Sequence, residues 1–193
     1  GSRWLERAAA LEPARTPDLL FRRAAAALLA GAPNAPDLLE ALAAAQPDFR
    51  IYPADGVTRI PGAELRWLLD HRAYGVFFGD RLDFGASDGR GSLWWSGRAM
   101  ATVDVPEAGR YLLRVRALED RPAPIAIAVE IAGEPVLRTN LTRENGEWAI
   151  LEQEVVLKPG PQALVVRFLN DGSVDGVDRN ATVAWVELER LEP

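Results

Sequence analysis

Apolar residues recur at two different periods along this chain, and the change falls near residue 50. Trp4, Ala8 and Leu11 are spaced i, i+4, i+7, and a second run from Pro17 through Leu20, Phe21 and Ala24 to Leu28 and Leu29 also reads as helical. Thr16 ahead of Pro17 supplies an N-cap followed by proline at the first helical position, while Gly31-Ala32-Pro33 is a stop signal. A short third helix is expected over 36–42, ended before Pro47.

From Ile51 onward the period falls to two. Tyr111, Leu113 and Val115 alternate with Arg114 and Arg116, and Ile125, Ile127, Val129 and Ile131 alternate with small alanines, as half-buried strands require. Strands are predicted over 67–69, 75–78, 92–105, 109–118, 125–132, 135–141, 148–157, 162–169 and 182–191. Proline and glycine punctuate the joints at 106–109 and 158–161. The expected fold is mainly β: an antiparallel β-sandwich, of the jelly-roll kind, preceded by a short α-helical N-terminal segment. Residues 1–50 form that segment, a cap on the sandwich or the tail of an upstream domain, and 51–193 the sandwich. No βαβ alternation or glycine-rich phosphate loop is present.

Composition narrows the chemistry. The 193 residues carry 22 basic and 28 acidic side chains, a net charge of −6, and no cysteine. Residues 1–50 are neutral, with six charges of each sign, so the whole excess lies in 51–193. Nucleic acid is a poor partner for such a balance. Disulfides, thiolate nucleophiles and cysteine-ligated zinc are excluded, and His71 as the only histidine rules out a multi-histidine metal site. Oxygen is the main ligand chemistry left. Only Lys158 among the basic residues is lysine, a bias read as bacterial coding preference. No apolar run is long enough to insert into a membrane. Gly1 and Ser2 read as the remnant of a removed tag, so the chain is expected to be a piece of a larger protein.

One segment concentrates that oxygen chemistry. Between the strands ending at Leu169 and beginning at Thr182 lie Asn170, Asp171, Asp175, Asp178 and Asn180, with Gly172 and Gly176 between them. Hard cations such as calcium take about six to eight oxygen ligands from carboxylates, carboxamides and carbonyls, and glycines let a chain curl around them. The same residue types also serve a long hairpin loop with solvated carboxylates. The spacing is not that of an EF-hand.

An apolar strand ending Phe168-Leu169-Asn170-Asp171, a glycine-containing loop, then Asp178-Arg179-Asn180 leading into a final strand resembles the closing motif of calcium-dependent xylan-binding carbohydrate-binding modules. The strand opening at Ala108-Gly109-Arg110-Tyr111 and the hairpin Ile131-Ala132-Gly133-Glu134-Pro135-Val136 agree, so the likeness spans about residues 55–193. The resemblance implies a calcium site with Asp171 and Asp178 as leading ligands and Asn170, Asp175 and Asn180 as contributors. It further implies a polysaccharide whose vicinal hydroxyls meet the ion. Arg179 is expected to be structural. Ala181 stands where such modules carry a larger apolar residue, and 172–177 lacks the aromatic residue they place near the loop.

Trp94 and Trp95 are adjacent and so face opposite ways in a strand; Trp95 is the candidate sugar-stacking residue. The Asp- and Gly-rich stretch 80–91 fits a solvated loop or a second cation site. Glu147, Glu152 and Glu154 with Asp171 are candidates for a glycosidase pair, which requires two carboxyls facing each other, but edge carboxylates on sandwiches are ordinarily solvated, so no enzyme is expected. The expected role is non-catalytic, calcium-dependent polysaccharide binding within a larger periplasmic or extracellular carbohydrate-active protein, whose other domains are further partners. The alternative is a structural or interaction domain with a stabilising calcium or none, and no glycan.

Overall fold

A computed structural model of the chain describes residues 16–68, 90–93, 97–120, 124–142 and 147–191; at 16–18, 67, 68, 91, 92, 119 and 120 only the backbone is described. Among the described residues two helices come first, α1 (Thr16–Leu29) and α2 (Ala35–Ala45). They are followed by β1 (Ile51–Pro53), β2 (Val57–Pro61), a 3-10 turn at Gly62–Glu64, β3 (Arg66–Leu68), β4 (Gly91–Leu93) and β5 (Gly97–Val105). Then come β6 (Gly109–Asp120), β7 (Ile125–Ile131), β8 (Glu134–Leu141), β9 (Trp148–Leu157) and β10 (Gly160–Phe168). Two short strands, β11 (Ser173–Val174) and β12 (Val177–Asp178), precede the closing strand β13 (Asn180–Arg190).

These strands make a sandwich. Sheet A has the order β1-β5-β10-β7-β8 with β3 also on β5; sheet B has the order β2-β13-β6-β9 with β4 also on β13. Pairing is antiparallel except for β1 on β5. The alternation seen in the sequence sets the core between the sheets: Ile125, Ile127 and Val129 of β7, Leu113 and Val115 of β6, and Leu164, Val166 and Phe168 of β10 are all at most 1% exposed. Tyr111 points into the same core and its hydroxyl donates to the Glu107 carbonyl at 2.9 Å, tying down the β5–β6 turn.

The segment 92–105, expected as one strand, is two. Residues 91–93 pair with β13 in sheet B, whereas 97–105 pair with β10 in sheet A. A chain that changes sheets serves both inner faces, and the break follows the apolar Leu93-Trp94-Trp95, at Ser96-Gly97-Arg98, a polar interruption within the single strand expected. Residues 75–78, expected as a strand, fall outside the described residues, as does the first helical run at 4–11.

The helices pack on the outer face of sheet A. Phe21, Ala24 and Leu28 of α1, Leu39 and Leu42 of α2, and Phe49 form a second buried cluster with Met100, Ala163 and Val165. On β5 and β10 those three alternate with the inward set, so both faces of the central strands are apolar. Arg66 fastens the layer's edge: its guanidinium lies 5.5 Å from the Phe21 ring and 5.4 Å from Phe49, and it bonds Gln46 and Asp48. Gly133 in the β7–β8 turn, at φ +81°, approaches so closely that a Cβ there would stand 2.9 Å from the Leu29 carbonyl oxygen. No helix among the described residues is long and apolar enough to cross a membrane.

Candidate functional site

The segment from Asn170 to Asn180 closes the sandwich between β10 and β13. Instead of an open loop it forms a miniature hairpin in which Ser173 pairs with Asp178 and Val174 with Val177. Its turn is Asp175-Gly176, with φ of 52° and 77°, the two consecutive positive values of a type I′ turn. Strands of two residues carry no legible period, but the Asp-Gly pair is the sequence signal that could have revealed them. The Arg179 N–H donates to the Gly172 carbonyl at 3.0 Å and fastens the hairpin's base.

The hairpin separates the candidate oxygens. Asp175 is exposed at the turn, and Asp178 is exposed near the base. Asp171, half-buried, already has a partner. Asn170 ties the segment to β7: its Oδ1 accepts the Ala126 N–H at 2.7 Å, and its Nδ2 donates to the Pro124 carbonyl at 2.8 Å. Asn180, first residue of β13, has a buried Oδ1 with no hydrogen-bond partner. Arg179 makes no ion pair among the described residues, and its Nε is likewise buried and unpaired. Trp95, and Trp94 beside it, lie outside the described residues, as do His71 and most of 80–91.

For a hard cation the donor set fits in a reduced form. The orphaned Asn180 oxygen is an acceptor that a cation or a donor would satisfy, and Asp171 and Asp178 supply carboxylates nearby in the chain. Asn170 Oδ1 already accepts one main-chain N–H, which leaves it one lone pair, and Asp175 stands exposed at the turn. Among the described residues no three His, Asp or Glu side chains stand together as a metal-holding group.

The outer face of sheet B carries two of the carboxylates weighed for a glycosidase pair, Glu152 and Glu154. Register aligns Arg59 of β2, Glu187 of β13, Arg114 of β6 and Glu152 of β9 in one row of alternating charge. Arg59 reaches Glu187 at 2.6 Å, and Arg114 reaches Glu187 at 3.0 Å, Glu189 at 2.6 Å and Glu152 at 2.8 Å. Burial alone would raise the Glu187 carboxyl, but the two guanidinium bonds hold it below its ordinary value. The Arg114 guanidinium, bonded to Glu152, Glu187 and Glu189, is held more firmly protonated still. Arg110 takes Glu154 in the same way. Glu152 and Glu154 are therefore engaged on an open sheet face by cations, an arrangement unlike two carboxyls facing each other across a cleft. Arg59 and Arg116 also lie over Trp185 and Trp148, at 4.5 and 4.9 Å.

No protein-family model matches the sequence, and no curated protein matches it. Solved structures do match in shape. The CBM36-1 carbohydrate-binding domain of a multidomain xylanase, from the hindgut metagenome of Trinervitermes trinervoides, superposes with a TM-score of 0.50 at 11% identity, covering 71% of this chain and 99% of that one. The insecticidal delta-endotoxin Cry8Ea1 of Bacillus thuringiensis matches with a TM-score of 0.50 at 17% identity, over 74% of this chain and 26% of the toxin. At these identities the likeness establishes the β-sandwich fold.

Proposed function

We propose that the chain is a non-catalytic carbohydrate-binding module that holds calcium at the base of the β11–β12 hairpin and presents it to a polysaccharide. The observation that carries this reading is the hairpin base itself, where the unpaired, buried Asn180 oxygen is close in sequence to Asp171 and Asp178. The xylanase-derived module of the same fold, nearly all of whose length is matched, supports the polysaccharide as ligand class.

In this reading Asp171, Asp178 and Asn180 hold the ion, and a bound calcium supplies coordination positions for sugar hydroxyls. Asn170 positions the hairpin through β7 rather than touching the ion. Asp175 and Gly176 set the turn. Trp95 is retained as the candidate stacking residue. The parent is a larger carbohydrate-active protein working outside the cytoplasm, as secreted polysaccharide-binding domains do.

A thermal melt with calcium and with chelator tests the ion. At a calcium concentration about a hundredfold above Kd the account expects about 2.7 kcal/mol of added stability. No shift at millimolar calcium removes the ion from the account. The alternative, an interaction domain without a glycan, is favoured if calcium stabilises the fold and no polysaccharide is retained.

A further inference from the structure

The outer face of sheet A carries a row of cations beside the helical layer. Arg98 on β5 stands directly opposite Arg167 on β10, Arg167 opposite Ala128 on β7, and Ala128 opposite Arg138 on β8. With strands about 4.8 Å apart, the first two arginine backbones are one strand spacing apart and the last two are two. Ala128 is the small floor between Arg167 and Arg138. The helices cover the adjacent positions Met100 and Val165, whereas Arg138 is exposed and the Arg167 side chain keeps 42% of its surface in solvent.

This row is short of counter-charge. Arg167 has one ion pair, to Glu130 at 2.6 Å. Arg98 and Arg138 have neither ion pair nor hydrogen bond among the described residues. Like charges directly opposite in a sheet are destabilising, and here two arginines face each other on the central strands of a chain whose net charge is −6. On sheet B, by contrast, every second position of the corresponding row is a glutamate.

We infer that the sheet A row is a second ligand surface, separate from the hairpin, that engages the carboxylates of an acidic polysaccharide. The inference rests on the glycan-binding reading for its polymer and on the arginines for its charge. Guanidinium groups offer a planar fork that matches a carboxylate, and Arg167 already takes one from Glu130, which lies in the neighbouring row of β7. Three cations in a row that crosses four strands suit a polymer with repeated charges better than one small anion.

The double variant Arg98→Gln/Arg138→Gln removes the two arginines of the row that have no ion pair among the described residues, without touching the hairpin or the Arg167–Glu130 pair. Affinity electrophoresis of the full chain, at low and high ionic strength, would use gels containing polygalacturonate, neutral xylan, dextran sulfate or polyglutamate. The expected result is salt-sensitive retention on polygalacturonate that the double variant weakens about tenfold or more, with mobility in neutral xylan unchanged. Retention on polygalacturonate no stronger than on neutral xylan, or unaltered in the variant, overturns the inference and leaves the hairpin reading standing. Stronger retention on dextran sulfate than on polygalacturonate overturns the choice of carboxylate. Retention on polyglutamate with none on any glycan overturns the carbohydrate reading itself. A circular-dichroism melt of the variant that overlays the parent's shows that a loss is not unfolding.

Discussion

The side-chain oxygen of Asn170 accepts the backbone N–H of Ala126 at 2.7 Å, across 44 residues of sequence. Its amide nitrogen donates to Pro124 at 2.8 Å, so one side chain joins the end of β10 to the beginning of β7. An oxygen that the sequence offers to a metal is thereby used by the main chain.

Asn170→Ala leaves one main-chain donor and one acceptor unmatched, and is expected to cost about 1–3 kcal/mol in urea denaturation. Asn170→Asp keeps the acceptor and should fall between. The loss should be equal in calcium and in chelator; a loss seen only with calcium would make Asn170 a ligand instead.

Asp171→Ala and Asp178→Ala are expected to abolish the calcium-induced rise in melting temperature; in chelator Asp178→Ala should alter the melt little, whereas Asp171→Ala also loses its existing partner and should start from a lower baseline. Gly176→Ala, at φ +77°, should instead cost about 1–2 kcal/mol under both conditions because the turn requires a left-handed residue. Differential scanning calorimetry of the three variants separates ligand from turn.

The helical layer is integral to the sheet it covers. Leu42, fully buried against the outer face of sheet A, should cost about 2–5 kcal/mol when replaced by alanine. Hydrogen exchange in that variant should rise in α1, α2 and at the amides of the β5 and β10 residues whose side chains face the helices, Met100, Ala163 and Val165. Gly133→Ala should destabilise the same contact, since its Cβ would meet the Leu29 carbonyl.

Glu187 has a folded value below its ordinary 4.5, so its bonds to Arg59 and Arg114 contribute stability above that pH and lose it as pH falls through the folded value. Melting temperature should hold from neutrality to about pH 5 and decline below. Glu187→Gln should lower neutral stability by about 1 kcal/mol, a modest figure because Arg59 stands mostly in solvent, and should flatten the acid decline. An unchanged acid limb in that variant would assign the decline to other carboxylates.

Much of this architecture is legible where a period is long enough to read. Ile125 to Ile131 and Tyr111 to Val115 announce their strands because each has three or more alternations and a strictly apolar inner face. The same rule fails at β11 and β12, two residues each, and at the change of sheet between Leu93 and Gly97, where Ser96-Gly97 is too short a punctuation to show which sheet each flanking residue joins. The candidate site was legible as chemistry: its carboxylates and carboxamides do sit together in sequence. Its geometry was not, because the Asn170–Ala126 bond and the hairpin register depend on residues far apart in the chain. The outward arginines were visible by alternation at Arg114 and Arg116, yet only cross-strand register reveals that Arg114 meets glutamates whereas Arg98 meets Arg167.

Metal-dependent binding of a polysaccharide is read out by electrophoresis of the purified chain through gels containing neutral xylan, with calcium and after chelation. Migration should be retarded in calcium, and the retardation should vanish with chelator and in Asp171→Ala or Asp178→Ala. Equal mobility in xylan-free and xylan-containing gels, extended to a panel of neutral and acidic polysaccharides without retention on any, would contradict it.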